Sequence, residues 1–167
     1  ARMTERKNYL PPFELNKPML GAAIGKVQKS NSKNFSEGNV VLSDNGWRDY
    51  FVEKDTKLQK IESNNLPIQT YLGPLGMTGH TAYIGLFKIV DLKEKQTVLV
   101  SSAAGSVGSM VCQIAKNLGC TVIASTGSDE KVGWLKNQWG IDHAFNYKKV
   151  ENLVLHRKSL SPEGYDL

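Results

Sequence analysis

Between Thr97 and Tyr147 the hydrophobic period of the chain alternates in a fixed way, and this constrains the fold more than any other feature. Thr97 to Ser101 is an apolar run of the kind found in a strand buried on both faces. Val107, Val111, Ile114, Ala115 and Leu118 then share one face of a helix that Gly119 stops. Thr121-Val-Ile-Ala-Ser125 reads as a second buried strand. Ser128 can cap a helix from Asp129 to about Trp139, which carries acids in its first turn and Gly140 behind its end. Ala144-Phe-Asn-Tyr147 is a short third strand. Strands joined through helices must pair in parallel, so the expected class is α/β: a doubly wound parallel sheet of Rossmann type, of which this chain holds a part.

The first third has a different rhythm. Gly21 to Val27, Val40 to Ser43 and Trp47 to Val52 read as short strands, with turn chemistry at Asn34 to Asn39 and at Asp44-Asn-Gly46. Closely spaced strands with glycine corners suggest a small barrel or sandwich. Glu53 to Leu66 is charged and polar, the composition of a passage between domains. Pro67 and Pro74 punctuate a connector ending in Gly76-Met-Thr-Gly79, and Thr81 to Val90 carries Ala82, Leu86, Phe87 and Val90 at helical spacing. Two domains are expected, residues 1–66 and residues 67–167.

Composition excludes several functions. The net charge is +5, but the lysines are dispersed (Lys7, Lys17, Lys54 and Lys93 among them), without the clustered stripe and interleaved aromatics of a nucleic-acid surface. A mildly basic surface instead suits an anionic ligand. Two cysteines and three histidines form no CxxC, HExxH or Cys/His cluster, so no metal is expected. Free thiols point to a reducing compartment, with the cytoplasm as the default. No apolar run approaches a membrane span, and Ala1 to Lys7 has no apolar signal core, so no membrane partner is expected. The chain begins without an initiator Met and ends in the apolar stretch Gly164-Tyr-Asp-Leu167, which suggests a fragment that is nearly inactive alone.

The joint between the first apolar strand and its helix is Ser101-Ser-Ala-Ala-Gly-Ser-Val-Gly108. A glycine-rich turn there binds a pyrophosphate because absent side chains let phosphate oxygens approach and the helix N-terminus offers unpaired N–H groups. Gly105 suits the close approach, and Gly108 lets the helix pack tightly on the strand. Ala103 stands where the usual fingerprint has its first glycine. Alone, this turn reads equally well as a plain tight corner; the strand before it and the helix after it favour the phosphate site.

The end of the second strand selects the cofactor. An NAD site wants an acid there, about 20 residues beyond the glycines, to bond the ribose 2′-hydroxyl. This chain has Ser125-Thr-Gly-Ser128, followed by Asp129, Glu130 and Lys131. The two acids also read as first-turn helix acids, and Lys131 as a surface lysine. Hydroxyls, backbone N–H groups and a lysine suit a 2′-phosphate, so NADPH is expected over NADH.

Five stretches then occur in an order and spacing that resemble one family: GMTGHTAY (Gly76 to Tyr83), AAGSVGS (Ala103 to Ser109), GSDEK (Gly127 to Lys131), FNYK (Phe145 to Lys148) and SPEGYD (Ser161 to Asp166). They resemble the zinc-independent medium-chain dehydrogenases/reductases of the prostaglandin reductase, leukotriene B4 12-hydroxydehydrogenase and NADPH-dependent alkenal or curcumin reductase group. KPMLGAAIGKV and FSEGNVVL upstream resemble the end of that family's GroES-like β-barrel domain, which would make residues 1–66 part of it and 67–167 part of the NADP-binding Rossmann domain.

The resemblance implies that Gly105, Ser106, Val107 and Gly108 contact the pyrophosphate, Lys131 the 2′-phosphate, and Tyr147 the adenosine side. Met77 and Thr78 would lie near the nicotinamide. The family's Asp-Pro-Tyr-x-Arg segment is absent, its proline in GMxG is Thr78 here, and its glycine before the first Rossmann strand is Lys95. The implied reaction sends a hydride from NADPH to the β-carbon of an α,β-unsaturated ketone or aldehyde, with the oxyanion held by hydrogen-bond donors. No catalytic acid is identifiable. Tyr83, Trp134 and Trp139 read as packing residues, His80 as a polar residue near a helix start, His143 as capping or preceding a strand, and His156 as solvated. A quinone reductase of the zeta-crystallin type and a non-catalytic nucleotide-binding module are the competing readings. A homodimer remains open for the full-length form.

Overall fold

The computed structural model describes residues 2–5, 10–62, 65–141 and 143–167, so Ala1, Arg6 and Lys7 of the Ala1–Lys7 segment lie outside the described residues. The chain divides into two compact units, Ala1–Leu72 and Gly73–Leu167.

The first unit holds β1 (Ala23–Lys26), β2 (Val40–Ser43) and β3 (Gln59–Lys60) in an antiparallel sheet of that order. Ala23 pairs with Ser43 and Lys26 with Val40; on the far edge Val41 pairs with Lys60. Val41 and Ile61 are its buried apolar residues. Two expectations fail here. Trp47 to Val52 is no strand, and Trp47, Tyr50 and Val52 are exposed. The reason is the turn: Gly46 has φ +72, and a Cβ on it would lie 1.9 Å from the Met19 carbonyl oxygen. The chain is thus turned towards Met19, whose carbonyl accepts the Trp47 N–H at 2.9 Å, instead of folding back along β2. The free edge of β2 goes to β3, inside the Glu53–Leu66 stretch expected to be a passage.

The second unit is α/β, as expected. Helix α1 (Met77–Tyr83) runs into a wider-wound turn at Ile84–Ile89, where the Val90 N–H reaches back to the Gly85 carbonyl at 3.1 Å. Then follow β4 (Thr97–Val100), α2 (Ser106–Asn117), β5 (Thr121–Thr126), α3 (Asp129–Trp139), β6 (His143–Asn146) and α4 (Leu153–Leu160). Helix α4 has no counterpart in the sequence reading. The three strands pair in parallel in the order β4-β5-β6, with Val100 opposite Ala124 and Thr126 opposite Asn146. Ser128 caps α3 by accepting the Lys131 N–H, and Gly140 ends it at φ +58, the left-handed value that suits glycine.

The core lies between this sheet and its helices: Val98, Val100, Ala103, Cys112, Ala115, Val122, Ala124, Leu135 and Ile141 are all buried in it. His143 opens β6. His156 is not solvated as expected: it is half-buried, with its ring edge on Phe145 at 4.7 Å. Trp134 and Trp139 pack against each other with their rings tilted by 56° and centroids 4.2 Å apart.

After α4 the chain returns to β4. Asp166 N–H donates to the Thr97 carbonyl at 2.9 Å, and Leu99 N–H donates to the Leu167 carbonyl at 2.8 Å. The Gln96 carbonyl on the other side bonds Thr121 of β5. Residues 166–167 therefore lie on the edge of β4 opposite β5. The strand order steps outward from β4 to β6 and then reverses at β4, which is the switch point where open parallel sheets bind ligands.

Candidate functional site

The turn after β4 is built for a close approach. Ser102 sits at φ +48, and its carbonyl accepts the Gly105 N–H at 2.8 Å. Ala103 is fully buried and its N–H donates to the Ser125 carbonyl at 3.0 Å, tying the turn to the end of β5. That burial explains why a small side chain suffices at 103. Gly105 is the N-cap of α2 and offers no side chain, so the first N–H groups of α2, those of Ser106, Val107 and Gly108, lack an intrahelical partner. A Cβ on Gly108 would lie 2.4 Å from the Ser102 carbonyl oxygen. Glycine there permits the tight helix–strand packing the sequence called for.

A cavity of about 300 Å³ opens at this end of the sheet, lined by Gly105, Ser128, Lys131, Tyr147 and Lys148, among others. Ser102, Ala104, Thr126 and Gly127 also line it, and among the described residues no carboxylate contributes to its wall. Gly127 gives the far wall its shape: a Cβ there would lie 3.3 Å from the Tyr147 hydroxyl and 3.4 Å from Lys148 Cε, so both side chains lean over this glycine. Asp129, the nearest acid in sequence, is engaged elsewhere. Its carboxylate accepts from Lys149 and from Asn146 Nδ2, the latter at 2.9 Å. The Lys149 contact first, then Asn146, hold its carboxyl below the usual range.

Of the residues singled out from sequence, Gly105, Lys131 and Tyr147 line this one cavity. Ser106, Val107 and Gly108 form the first turn of α2 beside it. Met77 and Thr78 do not line it. Met77 is exposed at the start of α1, and the Thr78 hydroxyl donates to the Gly73 carbonyl at 2.9 Å. The sequence reading missed Lys148 and Ser102. Lys148 carried only the signal of a lysine next to Tyr147.

A larger cavity, about 390 Å³, lies in the first unit against Phe35, Glu53 and Asp55. Asp55 is already satisfied by the Ser32 hydroxyl at 2.7 Å and Asn34 Nδ2 at 3.0 Å, which lower its pKa, the Ser32 bond most. Those bonds pin a loop and leave little chemistry over. Among the described residues no group of three or more His, Cys, Asp or Glu is placed to hold a metal ion, and no helix is long and apolar enough to cross a membrane.

Comparison with known proteins agrees with this geometry. Residues 1–61 match the model of the N-terminal domain of oxidoreductase, and residues 106–167 that of zinc-binding dehydrogenase. Bovine (Bos taurus) prostaglandin reductase 1 is 46% identical over 151 residues, covering 89% of this chain and 46% of that protein. The NADP(+)-dependent 2-alkenal reductase of Nicotiana tabacum is 40% identical over 161 residues, covering 96% of this chain and 47% of that protein. The crystal structure of CurA from Vibrio vulnificus in complex with NADPH superposes with a TM-score of 0.85 at 34% identity, covering 98% of this chain and 48% of that one. The chain spans about half the length of the curated relatives it matches. With both of its units matched in order and its glycine turn, parallel sheet and strand reversal in place, the chain belongs to the medium-chain dehydrogenase/reductase family, in the group of the prostaglandin and 2-alkenal reductases.

Proposed function

We propose that this chain carries the NADP(H)-binding part of a reductase acting on the conjugated C=C bond of α,β-unsaturated ketones and aldehydes without a zinc ion. The observation that carries the cofactor assignment is the cavity wall: two lysines and a tyrosine face the glycine turn, and among the described residues no carboxylate lines the space. An acid there would bond a ribose 2′-hydroxyl and repel a 2′-phosphate; lysines do the reverse. The relatives named for 2-alkenal and prostaglandin reduction support the substrate class.

The residues present fit the cofactor. Gly105 leaves room for a pyrophosphate against the backbone, and the first-turn N–H groups of α2 donate to its oxygens. Lys131 holds the 2′-phosphate and Tyr147 covers the adenosine. Met77 and Thr78, at the start of α1, serve the nicotinamide end. When bound, NADPH supplies the hydride; the share of these residues is to fix its position and to exclude water.

The test is a fluorescence titration with both cofactors. Lys131→Glu weakens NADPH by about 1–3 kcal/mol, the scale of a charge-assisted hydrogen bond, and leaves NADH within twofold. Equal losses for both cofactors overturn the 2′-phosphate assignment. In the full-length protein, a simple enone consumes NADPH and yields the saturated ketone. Turnover of quinones alone, or of neither, overturns the substrate assignment.

A further inference from the structure

Lys148 is the one cation in the cavity wall that the reading above leaves without a role, and its surroundings differ from those of its neighbour Lys149. Lys149 is bound by the Asp129 carboxylate. No carboxylate among the described residues pairs with Lys148, and its side chain lines the same cavity as Lys131.

The backbone sets this difference. Asn146 closes β6, and its side chain works in two directions: Oδ1 accepts the Lys148 N–H at 3.1 Å, while Nδ2 donates to Asp129 at 2.9 Å. The tight turn at Tyr147–Lys149 that follows sends Lys149 to Asp129 and lays the Lys148 stem over Gly127. Lys131 enters from a different element, the first turn of α3, whose cap is Ser128. Two ammonium groups from separate elements thus face one space whose only other ionisable lining group among the described residues is the Tyr147 phenol.

A phosphomonoester carries about −1.5 to −2 charges at pH 7, because its second pKa is near 6. One lysine leaves much of that charge uncompensated; two balance it. Resting on the cofactor reading above, we propose that Lys148 is a second cationic contact for the 2′-phosphate, so that preference for NADP over NAD is set by a Lys131–Lys148 pair rather than by Lys131 alone.

The experiment is calorimetric titration of this chain with 2′,5′-ADP and with 5′-AMP, which share the adenosine and differ in the 2′-phosphate. Lys148→Gln lowers 2′,5′-ADP affinity about tenfold and leaves 5′-AMP within twofold, and Lys148→Arg keeps most of the wild-type preference. The site being solvent-exposed, a thermal melt of each variant matches wild type. Unchanged 2′,5′-ADP binding by Lys148→Gln, with Lys131→Gln still losing it, overturns the role of Lys148 and leaves the cofactor reading standing. Equal losses of both probes in Lys148→Gln also overturn it, as a non-specific charge effect. Wild-type protein that binds 5′-AMP as tightly as 2′,5′-ADP overturns the cofactor reading and this proposal together.

Discussion

Gly108 is the position where one methyl group tests the whole account of the turn. A Cβ there would lie 2.4 Å from the Ser102 carbonyl oxygen and 3.0 Å from both Ser102 C and Ala103 Cα. Ordinary contact begins near 3.4 Å, so the first distance is short by about 1 Å. All three atoms are backbone, and no change of rotamer relieves them. Neither residue can step aside cheaply: the Ser102 carbonyl holds the Gly105 N–H, and Ala103 is fully buried and bonded to Ser125. The helix must move instead, which loosens Cys112 and Ala115, both at 0% exposure beneath it.

Overpacking of this kind costs about 1–3 kcal/mol. A backbone overlap of about 1 Å belongs at the upper end of that range, about 2–3 kcal/mol, and the roughly 1 kcal/mol that alanine recovers over glycine in a helix leaves Gly108→Ala destabilised by about 1–2 kcal/mol. Gly133→Ala is the matched control, because it sits inside α3 and, its chain neighbours and own helix backbone apart, nothing lies within 4 Å of its Cβ. There the propensity gain stands unopposed and stabilises by about 0.5–1 kcal/mol. In a Trp47→Phe background, urea unfolding followed by the fluorescence of Trp134 and Trp139, which both lie in α3, reads the second unit directly. The two variants should shift the midpoint in opposite directions. A Gly108→Ala midpoint equal to or above wild type would show that the turn does not press on α2, and the reasoning fails.

Lys95 occupies φ +64 just before β4, a left-handed conformation that costs a non-glycine residue about 1 kcal/mol, so Lys95→Gly should raise the thermal midpoint; a lowered midpoint refutes the strain. Burial pushes the Cys112 thiol up to about 12 from 9.0, so the folded state keeps its proton where the unfolded chain gives it up. Stability is therefore unaffected below pH 9 and falls by about 1.4 kcal/mol per pH unit above it; a Cys112→Ala variant with the same alkaline slope as wild type refutes this. Elemental analysis of the purified chain should find no stoichiometric zinc, and one zinc per chain would contradict the donor set.

Much of the second unit was legible because its signals are local. Ser128 and Gly140 bound α3 at the ends the sequence marked, and the apolar runs at 97–101 and 121–125 became neighbouring strands of the parallel sheet. The first unit was less legible for an equally physical reason. Trp47 to Val52 has strand composition, but the direction of the chain after Gly46 is set by a bond to Met19 from a distant segment, which no local pattern reports. Helix α4 was missed because its apolar residues are half-buried or exposed and draw no sharp stripe.

The candidate site divides along the same line. Each of its parts follows a strand: Gly105 after β4, Ser128 and Lys131 after β5, Tyr147 and Lys148 after β6. In sequence these are three unrelated loops. Parallel pairing places every strand's C-terminal end at the same edge of the sheet, and the register that sets Val100 opposite Ala124 and Thr126 opposite Asn146 brings the loops together there. The return of the chain to the free edge of β4 at residues 166–167 then completes the reversal. A motif reader sees the glycines because their spacing is local, and sees Lys131 because it follows a strand end at a known offset. It passes over Lys148, whose identity as a cavity cation comes from Asn146 assigning one lysine to Asp129 and leaving the other to the cavity. That assignment is tertiary, so a substitution at Asn146 should disturb cofactor preference even though Asn146 does not itself line the cavity.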